Sequence, residues 1–322
     1  MATAHPPIDL TVTPFETFPK HDAAKRDLIL AYVLDSVRKV RGSREWKKGK
    51  SFNHGKDTTT ESIYQKSDLK GNDGKVGWHG RVSVSLHQSS PDNRFPIEMI
   101  EPLQVHEEIK FSNFRQGLLI DHATTEPKYI HGIKETTKID ALFDTIAEVW
   151  RNACEHVLEE TARERRSHSP VVLSADKLPI VTKDRDFLEM LITVDLPAHP
   201  DPLSVEHEGV IEEYFKSSFP SSTQKDCPPK PSAGEYRSFL VIQVPVTHHD
   251  APERPAQYIR GKYASIEAVS ERSETVTEWR MVTQSSPEGS IPAFVTERAM
   301  PGKIAEDVPA YVKWAKSEGI GA

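Results

Sequence analysis

Phe239-Leu-Val-Ile-Gln-Val-Pro-Val246 is apolar on both of its alternating faces, the pattern of a strand buried at the centre of a sheet. Upstream of it, Leu188, Met190, Ile192, Val194 and Leu196 share one face of another extended segment. Downstream, two more extended runs, Tyr258 to Val269 and Val276 to Thr283, flank the polar turn Ser270 to Glu274. Four consecutive strands predict an antiparallel sheet. Nearer the start, Trp78, Gly80, Val82, Val84 and Leu86 alternate with His79, Arg81, Ser83, Ser85 and His87, so one face packs on protein and the other meets water or a polar cavity.

Helical spacing appears in three places. Asp22 is placed to cap a helix to about Val40, striped by Leu28, Ala31, Leu34 and Val37 and ended by Gly42. Ile139, Leu142, Phe143, Ile146, Val149, Trp150, Ala153 and Val157 predict a long amphipathic helix to about Arg166. The last runs from Ile291 to about Ser317, and Pro301-Gly302 and Pro309 are expected to bend or break it. Gly71-Asn-Asp-Gly74 signals a hairpin turn, and the Pro-rich stretch near 220–234 a loop. Residues 1–20 are expected to form an N-terminal extension and 21–317 a single domain.

With 322 residues, 37% hydrophobic and 28% charged, the chain can bury a sizeable core and is neither collagen-like nor wholly disordered. No apolar run approaches the roughly 18 residues a membrane helix needs. The opening MATAHPPIDL lacks the basic and apolar regions of a signal peptide, and two cysteines, Cys154 and Cys227, make no disulfide framework; a cytoplasmic setting is expected. The 41 basic and 48 acidic residues, a formal charge of −7, argue against nucleic acid as a partner. Arg38, Lys39, Arg41, Arg44, Lys47, Lys48 and Lys50 cluster around Trp46; this basic 38–50 stretch reads either as a solvated surface or as a transient contact with an anionic membrane.

No linear catalytic signature is present. There is no Gly-x-Ser-x-Gly, and Gly71-Asn-Asp-Gly-Lys-Val76 is too short for a phosphate loop. His106-Glu-Glu-Ile-Lys110 and His207-Glu-Gly-Val-Ile211 each lack the second histidine of a zinc motif. His248-His249-Asp250 reads as a solvated loop, since adjacent side chains after a strand point apart. Neither metal nor cofactor is expected, and an enzymatic role rests on no motif.

Trp78-His-Gly-Arg-Val-Ser83, Phe114-Arg-Gln-Gly-Leu-Leu-Ile-Asp-His122, Ala147-Glu-Val-Trp-Arg-Asn152, Arg260-Gly-Lys-Tyr-Ala-Ser-Ile-Glu267 and Glu278-Trp-Arg-Met281 together resemble a fungal family of unknown function, DUF3074, which carries a START-like domain. Gly289-Ser-Ile-Pro292 before the last helix is similar to the close of START lipid-transfer domains. The resemblance implies an α+β helix-grip fold: a curved antiparallel β-sheet wrapped around a long C-terminal α-helix, with an apolar tunnel between them. It also implies a hydrophobic small-molecule ligand such as a lipid or sterol, bound and carried between sites in the cell. The alternative in the same tunnel is a cyclase-like enzyme of secondary metabolism acting on a hydrophobic intermediate. The candidate ligand-binding residues are polar or aromatic side chains among apolar neighbours on the strands: His79, Arg81, Arg260, Tyr263, Trp279 and Met281.

Overall fold

The computed structural model describes residues 7–41, 46–53, 59–65, 76–86, 109–120, 122–143, 146–154, 183–217, 231–273 and 276–318. In chain order the elements are β1 (Thr13–Pro14), α1 (Asp22–Val40), β2 (Lys47–Asn53), β3 (Thr59–Gln65) and β4 (Trp78–Leu86). The short helices α2 (Phe111–Phe114) and α3 (His122–Thr125) follow, joined by a π-helical turn at Arg115–Leu119. Next come β5 (Ile133–Phe143), β6 (Ala147–Cys154), β7 (Arg185–His199), α4 (Val205–Ser217), β8 (Tyr236–Thr247), β9 (Ile259–Arg260), β10 (Lys262–Ser273), β11 (Val276–Ser286) and α5 (Ala293–Ser317).

Nine strands form one open, curved antiparallel sheet in the order β2-β3-β4-β11-β10-β8-β7-β6-β5, with β1 pairing in parallel with the end of β8 and β9 with β7. The expected central strand is β8, buried along nearly its whole length between β10 and β7. Each strand sends alternate residues to two different cores. Leu188, Met190, Ile192 and Val194 of β7, Leu240, Ile242 and Val244 of β8, and Ala264, Ile266 and Ala268 of β10 pack against α1, whose buried residues Ile29, Tyr32, Val33, Ser36, Val37 and Val40 recur at helical spacing. The other face, here the inner face, carries Leu191, Phe239, Val241, Val269 and Trp279 against Val308, Tyr311, Trp314 and Ala315 of α5.

Polar contacts tie these layers together. Arg280 donates through Nη1 to the carbonyls of Val40 (3.0 Å) and Arg41 (3.1 Å), capping the C-terminus of α1. Arg38 and Arg41, from the basic stretch, both bind Glu208 on α4. Ile8, Phe15 and Phe18, within the N-terminal 1–20 segment, are buried in the outer core.

Two helical expectations are corrected. The apolar run from Ile139 is not a helix: Ile139 to Phe143 ends β5, and Ala147 to Cys154 is β6, paired on β7. Ala147, Val149, Arg151 and Ala153 are all buried, so a period of two serves this run as well as the helical period, and pairing with the 15-residue β7 decides between them. The rest of the run, to Arg166, lies outside the described residues, as do the Gly71–Gly74 turn, Cys227 and most of the Pro-rich stretch. The last helix is not broken: α5 runs 25 residues through Pro301 and Pro309. Among the described residues, no helix is long and apolar enough to cross a membrane.

Candidate functional site between the inner sheet face and the last helix

Strand register sets the inner face in rows. One row reads Ser83, Trp279, Val269 and Phe239; the next reads Arg81, Met281, Glu267 and Val241; the third reads His79, Thr283, Ser265 and Gln243. The first row is mainly apolar and the third is polar, with Arg81 and Glu267 at the boundary. The sheet face under α5 is therefore chemically divided along its length.

The apolar end is an aromatic cluster built around Tyr311. Its ring stacks on Phe114 at 5.3 Å and meets Tyr129, Trp279 and Trp314 at 5.2, 5.3 and 5.6 Å. Such pairs contribute about 0.5–1.5 kcal/mol each beyond the area they bury. Tyr311 donates its hydroxyl to the Asn113 carbonyl at 2.8 Å, which anchors α5 to α2. Gly117 is required here: a Cβ at that position would stand 2.5 Å from the Tyr311 oxygen and 2.8 Å from the Trp314 ring.

The polar end centres on Arg81, which is 1% exposed. Its guanidinium carbon lies 3.8 Å from the centre of the Trp279 ring, and Nη2 is 4.0 Å from Glu267 Oε2. Trp279 donates its indole N–H to the same carboxylate oxygen at 2.8 Å. Among the described residues, Arg81 Nε and Nη1 have no hydrogen-bond partner. Across the sheet, Ser265 donates to Gln243 at 2.5 Å, and Gln243 donates to the buried Glu189 at 3.2 Å. His79 meets Glu297 of α5 at 3.1 Å, and Glu297 also accepts the Gly77 N–H.

Burial governs the charges. It pushes Asp307 of α5 up to about 8, with Arg81 pulling against it, so this carboxyl holds its proton at neutral pH. Burial also raises Glu126, opposed by His122, and lifts Glu189 well above the usual carboxylate range, with Glu126 adding to the shift. Tyr263, whose hydroxyl is bonded with Thr283, and Tyr129 are raised well above the ordinary tyrosine value by the same cause. Burial lowers Arg81, against the pull of Asp307 and Glu267. Asp307, Glu126 and Tyr263 nonetheless keep part of their surface accessible.

The structure brings five of the six sequence candidates, His79, Arg81, Tyr263, Trp279 and Met281, onto this one face. Arg260 lies apart. It binds Asp186 through Nε (3.0 Å) and Nη2 (2.9 Å), alongside Arg151 (2.9 Å), in a buried structural ion cluster. Sequence reasoning missed Glu189, Gln243, Glu267 and Asp307. Gln243 carried a signal, a lone amide within an apolar strand; so did Asp307, three residues beyond Ile304 on the buried stripe of α5.

A small cavity of about 10 Å³, room for one water, opens at the start of α5 among Val76, Ser285, Pro287, Ile291 and Thr296. The turn before it is sharply set: Glu288 and Gly289 both have positive φ, 52° and 71°. A Cβ on Gly289 would also stand 2.9 Å from Ile259, so glycine suits this position twice over.

The model of a family described as proteins of unknown function, DUF3074, matches residues 78–315. No curated protein matches by sequence. Among solved structures, human StAR-related lipid transfer protein 5 superposes with a TM-score of 0.58 at 9% identity, over 93% of this chain and 100% of that one. Human STARD10 gives a TM-score of 0.50 at 11% identity, over 92% of this chain and 80% of that one. At these identities the likeness speaks to the fold, which is the helix-grip fold.

Proposed function

The chain belongs to the DUF3074 family, and we propose that its inner sheet face and α5 bind a hydrophobic small molecule whose polar end carries proton-accepting oxygen, with Arg81 as the anchor. The observation that carries this reading is the pair of Arg81 donors, Nε and Nη1, that find no acceptor among the described residues on a side chain 1% exposed. A buried donor without an acceptor costs about 1–3 kcal/mol, more when charged, and a ligand oxygen removes that cost.

Two further features support it. Asp307, Glu126 and Tyr263 have accessible surface, yet burial is the first cause of each pKa shift. Both hold together when that surface faces space enclosed under α5. Asp307, raised to about 8, keeps its proton at neutral pH, so it donates a hydrogen bond to an anionic or carbonyl end instead of repelling it. Met281, Trp279 and Val241 then line the path of the apolar body. Burying about 16 CH₂ groups gains on the order of 12 kcal/mol, against an association cost of about 4–15 kcal/mol, so the polar anchor decides net affinity.

Transfer between membranes is the finer reading, and the printed name of the similar human lipid transfer protein favours it. Lys47, Lys48 and Lys50 are exposed on the edge strand β2, beside the start of α5, where Phe294 is 72% exposed; a transient contact with an anionic membrane would use this corner. The chemistry calls for no nucleic acid, and the reading places the protein in the cytoplasm. A second reading, a cyclase-like enzyme in the same space, draws on Asp307, a protonated acid at neutral pH close to Arg81.

Titrating the delipidated protein with palmitate and with hexadecylamine tests the anchor. Palmitate is expected to bind and the amine, with the same chain and an opposite head, to bind far more weakly. A preference for the amine would overturn the assignment of Arg81.

A further inference from the structure

A second group of ionisable side chains lies far from α5, where the N-terminal segment meets the end of β8. β1 pairs in parallel with Val246 and Thr247, and the turn that follows it carries Glu16 to the loop His248-His249-Asp250. The two histidines do not point apart. Their rings stack with centroids 4.5 Å apart and planes 22° from parallel. One ring nitrogen of each and a Glu16 carboxylate oxygen lie within 4.8 Å of one another. The loop is not simply solvated either, because the His248 side chain is 1% exposed and packs on Phe15 at 5.1 Å.

From this arrangement we infer that Glu16, His248 and His249 form a three-ligand binding site for a first-row divalent transition metal such as zinc, with water completing the coordination. Two imidazoles with one carboxylate is a donor set that suits zinc and its neighbours better than calcium or magnesium. His249 Nδ1 stands 3.1 Å from Glu16 Oε1, close to the roughly 3.3 Å between two donors that each lie about 2.0–2.1 Å from a tetrahedral metal. Asp250 Oδ2 is 3.2 Å from the opposite nitrogen, Nε2, so Asp250 orients this imidazole from behind.

His248 has the orientation of a supported ligand. Its Nε2 is 3.1 Å from Asp140 Oδ2 on β5, while Nδ1 accepts the Asp250 N–H at 3.1 Å. That pairing places the proton on Nε2 and the lone pair on Nδ1, where it accepts the Asp250 N–H. A carboxylate behind a coordinating imidazole fixes its tautomer and raises its basicity. A bound ion would take the Nδ1 lone pair in place of the amide. It would also staple the N-terminal segment to the end of β8, since Glu16 comes from the first and both histidines from the second.

The test uses the full, tag-free chain, stripped with a chelator and titrated with Zn²⁺ by calorimetry and with Co²⁺ by visible absorption. One ion per chain is expected, with the intense bands of tetrahedral Co²⁺. Glu16 and His249 are exposed, so Glu16→Gln and His249→Ala leave folding intact; each is expected to weaken binding on the order of tenfold or more, and Asp140→Asn on the order of tenfold. His131→Ala, at a remote exposed histidine, is expected to change nothing. Hydrogen exchange in residues 13–17 should slow when the ion is added. Absence of stoichiometric binding, or binding that His249→Ala leaves unchanged, overturns the site; unchanged exchange in 13–17 overturns the staple.

Discussion

The guanidinium of Arg81 lies 3.8 Å from the ring centre of Trp279, and the indole of Trp279 donates to Glu267, the carboxylate that faces Arg81 across Met281. The cation is thus held from below by an aromatic face and from the side by one carboxylate 4.0 Å away. Two of its donors are buried without an acceptor among the described residues. A charge kept in this way is poorly explained by stability alone.

Arg81→Met is therefore expected to weaken binding as well as folding. Arg81→Met leaves the buried Glu267 with the Trp279 N–H but no cation, which lowers stability by up to about 3–5 kcal/mol, whereas loss of a charged hydrogen bond to ligand costs about 1.5–3 kcal/mol, roughly ten- to hundredfold in affinity of the molecules that still fold. Urea denaturation and palmitate titration of the same variant check both halves. A variant that is destabilised yet binds normally would make Arg81 a structural residue.

Asp307 should give stability an unusual pH dependence. Its value rises from 3.8 unfolded to about 8 folded, so between those limits the folded chain holds a proton that the unfolded chain has released. Stability from this group accordingly falls as pH rises through that window. Glu126 and Glu189, also raised, act in the same direction. Asp307→Asn should flatten the fall in urea midpoint and make the protein more stable than wild type at the alkaline end. An unchanged slope would contradict the buried, protonated state of Asp307.

Glu278 predicts the opposite sign. Burial acts to raise it, but Arg280 and Arg272 hold its carboxyl down at about 2. The stabilisation is fully present above its ordinary value of 4.5 and is lost as pH falls toward 2. Glu278→Gln leaves Arg280 facing no carboxylate and Arg272 with Asp201 alone, and should cost about 3–5 kcal/mol at neutral pH. Because Arg280 also caps α1, hydrogen exchange in the last turn of α1 should accelerate in this variant.

Gly117→Ala should loosen the grip on α5. The new methyl would stand 2.5 Å from the Tyr311 oxygen, which cannot retreat without giving up its bond to Asn113. Overpacking of this kind costs about 1–3 kcal/mol. Near-ultraviolet circular dichroism and the denaturation midpoint should both change; wild-type values for both would show that α5 has slack at this end.

Much of the sheet was legible because its strands alternate. The parity that puts Trp78, Gly80 and Val82 on one face puts His79 and Arg81 on the other, and α5 covers that second face. The β5–β6 hairpin was not legible as such: Ile139, Leu142, Ile146 and Val149 satisfy the helical period by coincidence, and only pairing with β7 distinguishes the two forms. Arg260 read like Arg81, a cation on a strand, yet Asp186, which satisfies it, is distant in sequence. Glu267 and Glu189 were hidden because a glutamate in an alternating strand looks solvent-facing until a helix is known to cover it. The stacking of His248 on His249 depends on the turn that ends β8, which no periodicity reports.

Native mass spectrometry of freshly purified protein, wild type beside Arg81→Met, bears most directly on the central claim. The wild type is expected to emerge carrying about one small molecule per chain, with an apolar body and an oxygen-bearing end, and the folded variant to lose most of that occupancy. A wild-type chain at its bare mass even after incubation with palmitate, or a variant that keeps the same adduct in full, would contradict the claim that Arg81 anchors a ligand under α5.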